Sequence, residues 1–162
     1  MEIVYFDHAR TGEAQEGFGR GDAGKVWLGK NDIFESDSSV LVSGNSYHAL
    51  VGHGVVARLG ALPVQFGPIG EGRDAVLQPS VLEDAAQILY DADRMTYGGT
   101  FEFCAATVRL PTPCEYRVVV DNREYQRTLA RLQFLMSSAA REGHAVRLRL
   151  SEGGDDLTRA LV

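Results

Sequence analysis

The chain is short of cysteine: its 162 residues hold two, Cys104 and Cys114. Two thiols cannot build the disulfide framework of a small secreted scaffold, nor a four-thiolate zinc site. They could close one bridge across a hairpin, but reduced thiols in a cytoplasmic protein are the expectation. No apolar run approaches the ~20 residues needed to cross a bilayer, so no membrane partner is expected. The opening stretch MEIVYFDHAR has an acid at its second position and no basic leader, which is not the pattern of a secretory signal. Basic residues are also in deficit, 16 Lys and Arg against 22 Asp and Glu, a net charge of −6. Such a chain is poorly suited to neutralising phosphates, and nucleic acid is not an expected partner.

Familiar catalytic patterns are missing as well. H-E-x-x-H, C-x-x-C and G-x-S-x-G do not occur. Their absence removes the commonest signals of zinc hydrolases, thiol redox sites and nucleophile elbows.

What the chain does have is an uneven charge distribution. Residues 1–93 carry 14 acids and 6 bases, a net of −8, and the remainder is slightly basic. An acidic half can keep a protein soluble or steer a basic partner. The length suits one domain, 1–162, with a tail over 151–162.

Hydrophobic patterning gives the elements. Ile3–Phe6, Val26–Leu28 and Val40–Val42 read as short strands, with a Gly-rich loop or hairpin over 10–24. Residues 46–60 read as a helix capped by Ser46, although Gly52 and Gly54 oppose it and a strand is the alternative. Pro79 and Ser80 open a helix running to about Met95, with Leu82, Ala85, Ala86 and Leu89 as its buried stripe. Residues 101–110 form a strand with Cys104, Ala106, Val108 and Leu110 on its core face. Residues 115–121 form another, with Tyr116, Val118 and Val120 inward. Asp121 or Asn122 caps the longest helix, whose stripe is Tyr125, Leu129, Leu132, Leu135, Met136 and Ala139. Gly143 ends it, and HAVRLRL alternates as a strand with Val146, Leu148 and Leu150 inward. A parallel crossover between the last two strands is available. The class is α+β: one mixed or antiparallel sheet with two to three helices on one face.

Candidate chemistry is sparse. GFGRGDAGKV at 17–26 matches G-x-G-x-x-G through Gly19, Gly21 and Gly24. It also matches the phosphate-loop pattern through Gly19, Gly24 and Lys25, up to its last position. There, Val26 stands where a hydroxyl must hold magnesium, and strand-like VWLGKND follows where a helix must begin. His48 and His53 are five apart and share no face of a helix or strand. His8 and His144 could meet in space. No residue set suggests a metal or cofactor. Ser46 lies near His48 in sequence, which is not triad geometry. Cys104 reads as core. Arg123, Arg127 and Arg131 recur every fourth residue on the long helix. They are either a solvated face paired with acids such as Glu124 or a ridge for an acidic partner or RNA.

The segment EYRVVVDNREYQRTLARLQFLMSSAAREGHAVRLRL (115–150) resembles the C-terminal part of small immunity proteins of bacterial polymorphic toxin systems, including contact-dependent growth inhibition. There a Y-x-V-x-x-D strand, here Tyr116, Val118 and Asp121, leads into a helix. The resemblance covers less than half of the chain. It implies a non-enzymatic, cytoplasmic protein that neutralises a cognate toxin, often a basic nuclease, by binding it. The contact surface would then be acidic, drawn from Asp22, Asp32, Glu35, Asp37, Glu71 and Asp74 in expected loops. Two other classes stay open. One is a small enzyme acting on a nucleotide or phosphorylated ligand through residues 17–25 and His48 or His53. The other is a structural or assembly subunit.

Overall fold

The computed structural model describes residues 2–9, 22–28, 39–70, 74–109 and 111–150. The first part of the chain supplies β1 (Glu2–Asp7), β2 (Asp22–Leu28), β3 (Ser39–Ser43), α1 (Gly44–Gly52), α2 (Val55–Gly60), β4 (Val64–Gln65) and β5 (Asp74–Leu77). A 3₁₀ turn (Pro79–Val81) then leads into α3 (Leu82–Arg94), β6 (Thr100–Val108), β7 (Cys114–Asp121), α4 (Asn122–Glu142) and β8 (Val146–Leu150). The class is α+β, but the strands form two sheets where one was expected. β1-β7-β6 is mixed, with β1 parallel and β6 antiparallel to β7. β3-β2-β8-β5-β4 is antiparallel throughout. α1 and α4 touch strands of both sheets. One apolar cluster therefore runs from Val26 and Leu148 through Leu50 and Leu129 to Val118.

The second half follows its sequence pattern closely. Leu82, Ala85, Ala86 and Leu89 are the buried face of α3. The stripe expected on α4 is buried throughout. The Asp121 carboxylate caps α4, accepting from the Arg123 and Glu124 amides at 2.9 and 3.4 Å. Gly143 ends the helix at φ 72°, a left-handed value that glycine takes without a Cβ penalty. Val146, Leu148 and Leu150 are buried in β8.

Several expectations are corrected. The 46–60 helix is two helices, because Gly54 adopts φ 78° between them. The cap of α1 is Ser43, whose Oγ accepts from the Ser46 amide at 3.2 Å. Ser46 is buried and its Oγ meets Thr128 Oγ1 at 2.8 Å. β7 and β8 flank α4 but lie in different sheets, so no parallel crossover joins them. Before the register shift the core face of β6 is the other one: Phe101, Phe103 and Ala105 pack inward and Cys104 is exposed; beyond it Ala106 and Val108 are half-buried and Thr107 exposed, and Leu110 lies outside the described residues. Two aromatic rings bury more surface than the Cys104 side chain that faces outward between them and the shift. A register shift between Cys104 and Ala106 lets the remainder of the strand adjust. Both cysteines are free, and cross-strand register sets Cys114 opposite Val108 and Cys104 opposite Arg117.

The Gly-rich stretch also changes character. β2 begins at Asp22, so Gly24 and Lys25 are strand residues. A Cβ on Gly24 would lie 2.0 Å from the Arg149 carbonyl oxygen. Only glycine lets β2 approach β8 this closely, beside a register shift between Asp22 and Gly24. Gly60 is a contrast, since a Cβ there meets nothing within 4 Å. Gly24→Ala is therefore expected to lower stability by about 2 kcal/mol or more through backbone overpacking. Gly60→Ala is expected to be neutral or to raise stability by up to about 1 kcal/mol through helix propensity. Urea unfolding midpoints of the two variants check this, and equal effects would refute it.

Candidate functional site

The phosphate-loop reading meets a structural obstacle. Gly24 and Lys25 sit inside β2 with Val26 and Leu28 turned to the core side. A phosphate loop needs a helix N-terminus directly behind the glycines, and here the chain continues as strand. Gly19 and Gly21 lie outside the described residues.

The histidines are brought together in an unexpected pair. His8 follows β1, and its amide donates to the Val119 carbonyl at 2.8 Å, extending the pairing with β7. That places its ring over α1. His8 Nε2 and His48 Nδ1 are 2.7 Å apart, so one nitrogen carries the hydrogen and the other accepts it. Burial lowers the pKa of both rings to about 4. Asp7 opposes the shift at His8, and the neighbouring His8 adds to it at His48. Both rings are neutral at pH 7, and the pair fastens an edge strand to a helix. Beside it lies a cavity of about 330 Å³ lined by His48, Val51, Gly52, Phe103, Cys104 and Ala105. His144 does not join this pair; its Nε2 lies 3.8 Å from Glu142.

His53 has a separate setting. Its ring stacks on Phe101 at 4.0 Å and on Tyr125 at 4.8 Å. Its Nε2 is 3.3 Å from Asn122 Oδ1. Burial again lowers its pKa. Asn122 Nδ2 in turn donates to the Tyr97 and Gly98 carbonyls at 3.1 and 3.3 Å. This arrangement anchors the loop between α3 and β6 to the start of α4. Among the described residues no group of three or more His, Cys, Asp and Glu could hold a metal ion. No helix among them is long and apolar enough to cross a membrane.

The six acids expected to form a contact surface are not gathered into one by the described residues. Asp74 lies at the start of β5, not in a loop. Its Oδ1 accepts from Arg149 Nε at 2.6 Å, and its Oδ2 is 3.9 Å from Arg147. Antiparallel register places it directly opposite Arg149, so its charge is largely balanced. Asp22 opens β2 opposite Ser43, at the same end of the sheet as Asp74. Asp32, Glu35, Asp37 and Glu71 lie outside the described residues. Leu28 and Ser39, which bracket the first three, are at the opposite end of β2 and β3 from Asp22.

The basic ridge of α4 is better assembled. Arg123, Arg127 and Arg131 are exposed. No ion pair joins any of them to a described carboxylate. The expected partner, Glu124, is turned away, and its Oε1 accepts from Ser43 Oγ at 2.6 Å. Phe134 stands on the same ridge and is 71% exposed. Its helical position is the signal for it in the sequence. Phe134 follows Arg127 by seven residues and falls outside the apolar stripe. A cavity of about 620 Å³ opens beside it, with Leu28, Val40, Ala130, Arg131, Phe134 and Leu135 in its lining.

The histidine pair makes stability depend on pH. Between about pH 4 and 6.5 the unfolded chain binds protons at these rings and the folded chain does not. Stability therefore rises with pH across this window and is lost as pH falls from 6.5 towards 4. The loss is on the order of 2 kcal/mol after discounting for partial exposure. Urea midpoints at pH 7 and 4.5 measure it, and His48→Gln is expected to flatten the difference. An equal drop in that variant would place the effect elsewhere.

Comparison with protein-family models, curated proteins and solved structures finds no match to this chain.

Proposed function

We propose that this chain is a non-enzymatic binding protein of the immunity type, which neutralises a cognate bacterial toxin by occupying it. The observation that carries the reading is the α4 ridge. Three arginines stand free of described carboxylates beside an exposed phenylalanine and an apolar cavity. Exposed Arg and aromatic side chains at one place are the composition of a protein contact. The resemblance of residues 115–150 to immunity proteins supports the same reading, and α4 is the centre of that segment. The proposed contact shifts accordingly from the acids of the N-terminal half to α4, because Asp74 is already engaged by Arg149 and Arg147.

The test is co-expression with a toxin domain encoded by an adjacent reading frame. The wild-type chain is expected to restore growth and to form a complex with the purified domain. R127E/R131E is expected to weaken the complex by about tenfold or more. The remaining affinity should vary less with salt. A wild-type chain that neither binds that toxin nor protects against it overturns the reading.

A further inference from the structure

We infer that the α4 ridge and its cavity form a docking site for an extended acidic protein segment carrying one apolar anchor. This rests on the binding reading above and names the chemistry of the partner's contact segment. Arg123, Arg127 and Arg131 are spaced four residues apart, so their heads recur every ~6 Å along the helix. In an extended chain, alternate residues face the same way at ~6.6 Å spacing. Carboxylates at alternate positions of such a segment can therefore meet successive guanidiniums. Arginine also holds carboxylates with two parallel hydrogen bonds, which lysine cannot do.

The cavity supplies the second half of the recognition. Leu28, Val40, Ala130 and Leu135 give it apolar walls, and Phe134 and Arg131 stand in its lining. At about 620 Å³ it has room for a large apolar side chain. Glu142, the one acid among the described residues of its lining, lies 3.8 Å from His144. An apolar residue entering here would carry its flanking acids across Arg131 and Arg141. That order, acid, apolar anchor, acid, is what the charge and shape of this face complement.

Nucleic acid fits less well. Single strands are gripped by several aromatic platforms in a row, and among the described residues this ridge presents one, Phe134. The net charge of −6 further disfavours a polyanion.

The probe is a fluorescein-labelled peptide of about eight residues, the extended length that spans the ridge. It alternates Glu and Ser around a central Leu-Phe. Fluorescence anisotropy is read against the full chain at two salt concentrations, together with a Leu-Phe to Ser-Ser peptide and a single-stranded RNA of equal charge. The acidic apolar peptide is expected to bind, and R127E/R131E to weaken it about tenfold or more. Ala130→Trp, which fills the cavity from an exposed position, is expected to weaken it comparably while sparing the Ser-Ser peptide. Thermal melts of each variant should match wild type, because all these side chains are exposed. A large drop in melting temperature in R127E/R131E would make the ridge an internal contact and overturn the inference. So would equal binding of both peptides, tighter binding of RNA, or self-association that R127E/R131E abolishes. Failure of the peptide with toxin neutralisation intact overturns this inference alone. Peptide binding without toxin neutralisation overturns the immunity reading and leaves this one standing.

Discussion

A single carboxamide holds the two halves of the fold in register. Asn45, in the first turn of α1, is 4% exposed. Its Nδ2 donates to the Asp121 carbonyl at 3.0 Å, and its Oδ1 accepts from the Asp121 amide at 2.7 Å. The side chain thus behaves as one more peptide unit beside β7, just past the point where β1 stops pairing. Backbone groups left unpaired there would cost about 1–3 kcal/mol each. The same Asp121 caps α4 with its carboxylate. Ser43 completes the junction, capping α1 while donating to Glu124 of α4. The ends of β3 and β7 and the starts of α1 and α4 are fixed at one place, and both sheets inherit their positions from it.

That junction also explains why the charges are distributed as they are. On the two sheets, three arginines find local acids. On the three-stranded sheet Arg117 donates to Glu102 of the neighbouring strand at 2.8 Å and to Glu115 of its own strand at 3.0 Å. Arg149 and Arg147 take Asp74 on the five-stranded sheet. These pairs are partly exposed, so each contributes little to stability, but they neutralise the sheet faces. On α4 the nearby acid, Glu124, accepts from Ser43 instead, and no described carboxylate pairs with the arginine ridge. A demand of folding, satisfying the start of α1, thus takes Glu124 from the arginines beside it. The histidines follow a different logic. Two imidazoles whose nitrogens lie 2.7 Å apart share one hydrogen, an arrangement that suits a buried link between β1 and α1 at neutral pH.

Much of the fold was legible from residue order. Elements with strict periodicity came through: α3, α4, β7 and β8 are where their apolar patterns put them, with caps at Asp121 and Gly143. The misreadings share a cause. In β6 both faces carry apolar residues, so alternation could not choose between Cys104, Ala106 and Val108 on one side and Phe101, Phe103 and Ala105 on the other. The choice came from what α1 presents, including Gly52, where a Cβ would come within 2.5 Å of the Phe103 ring. In residues 17–26 the letters matched a nucleotide loop while the glycine served strand packing. Pattern matching sees identity at a spacing, not the neighbour that forbids a side chain.

The sequence by itself determined the class of fold, the amphipathic helices and the alternating strand that ends the described chain, because these depend on local periodicity. Only the tertiary structure decided which polar and charged groups pair. It joined His8 to His48 across 40 positions, gave Asp74 to Arg149 across 75, and drew Glu124 away from its arginine neighbours to Ser43 across 81. Hydrogen bonds and ion pairs act over a few ångströms, and which groups come that close is set by topology, which a spacing along the chain does not contain.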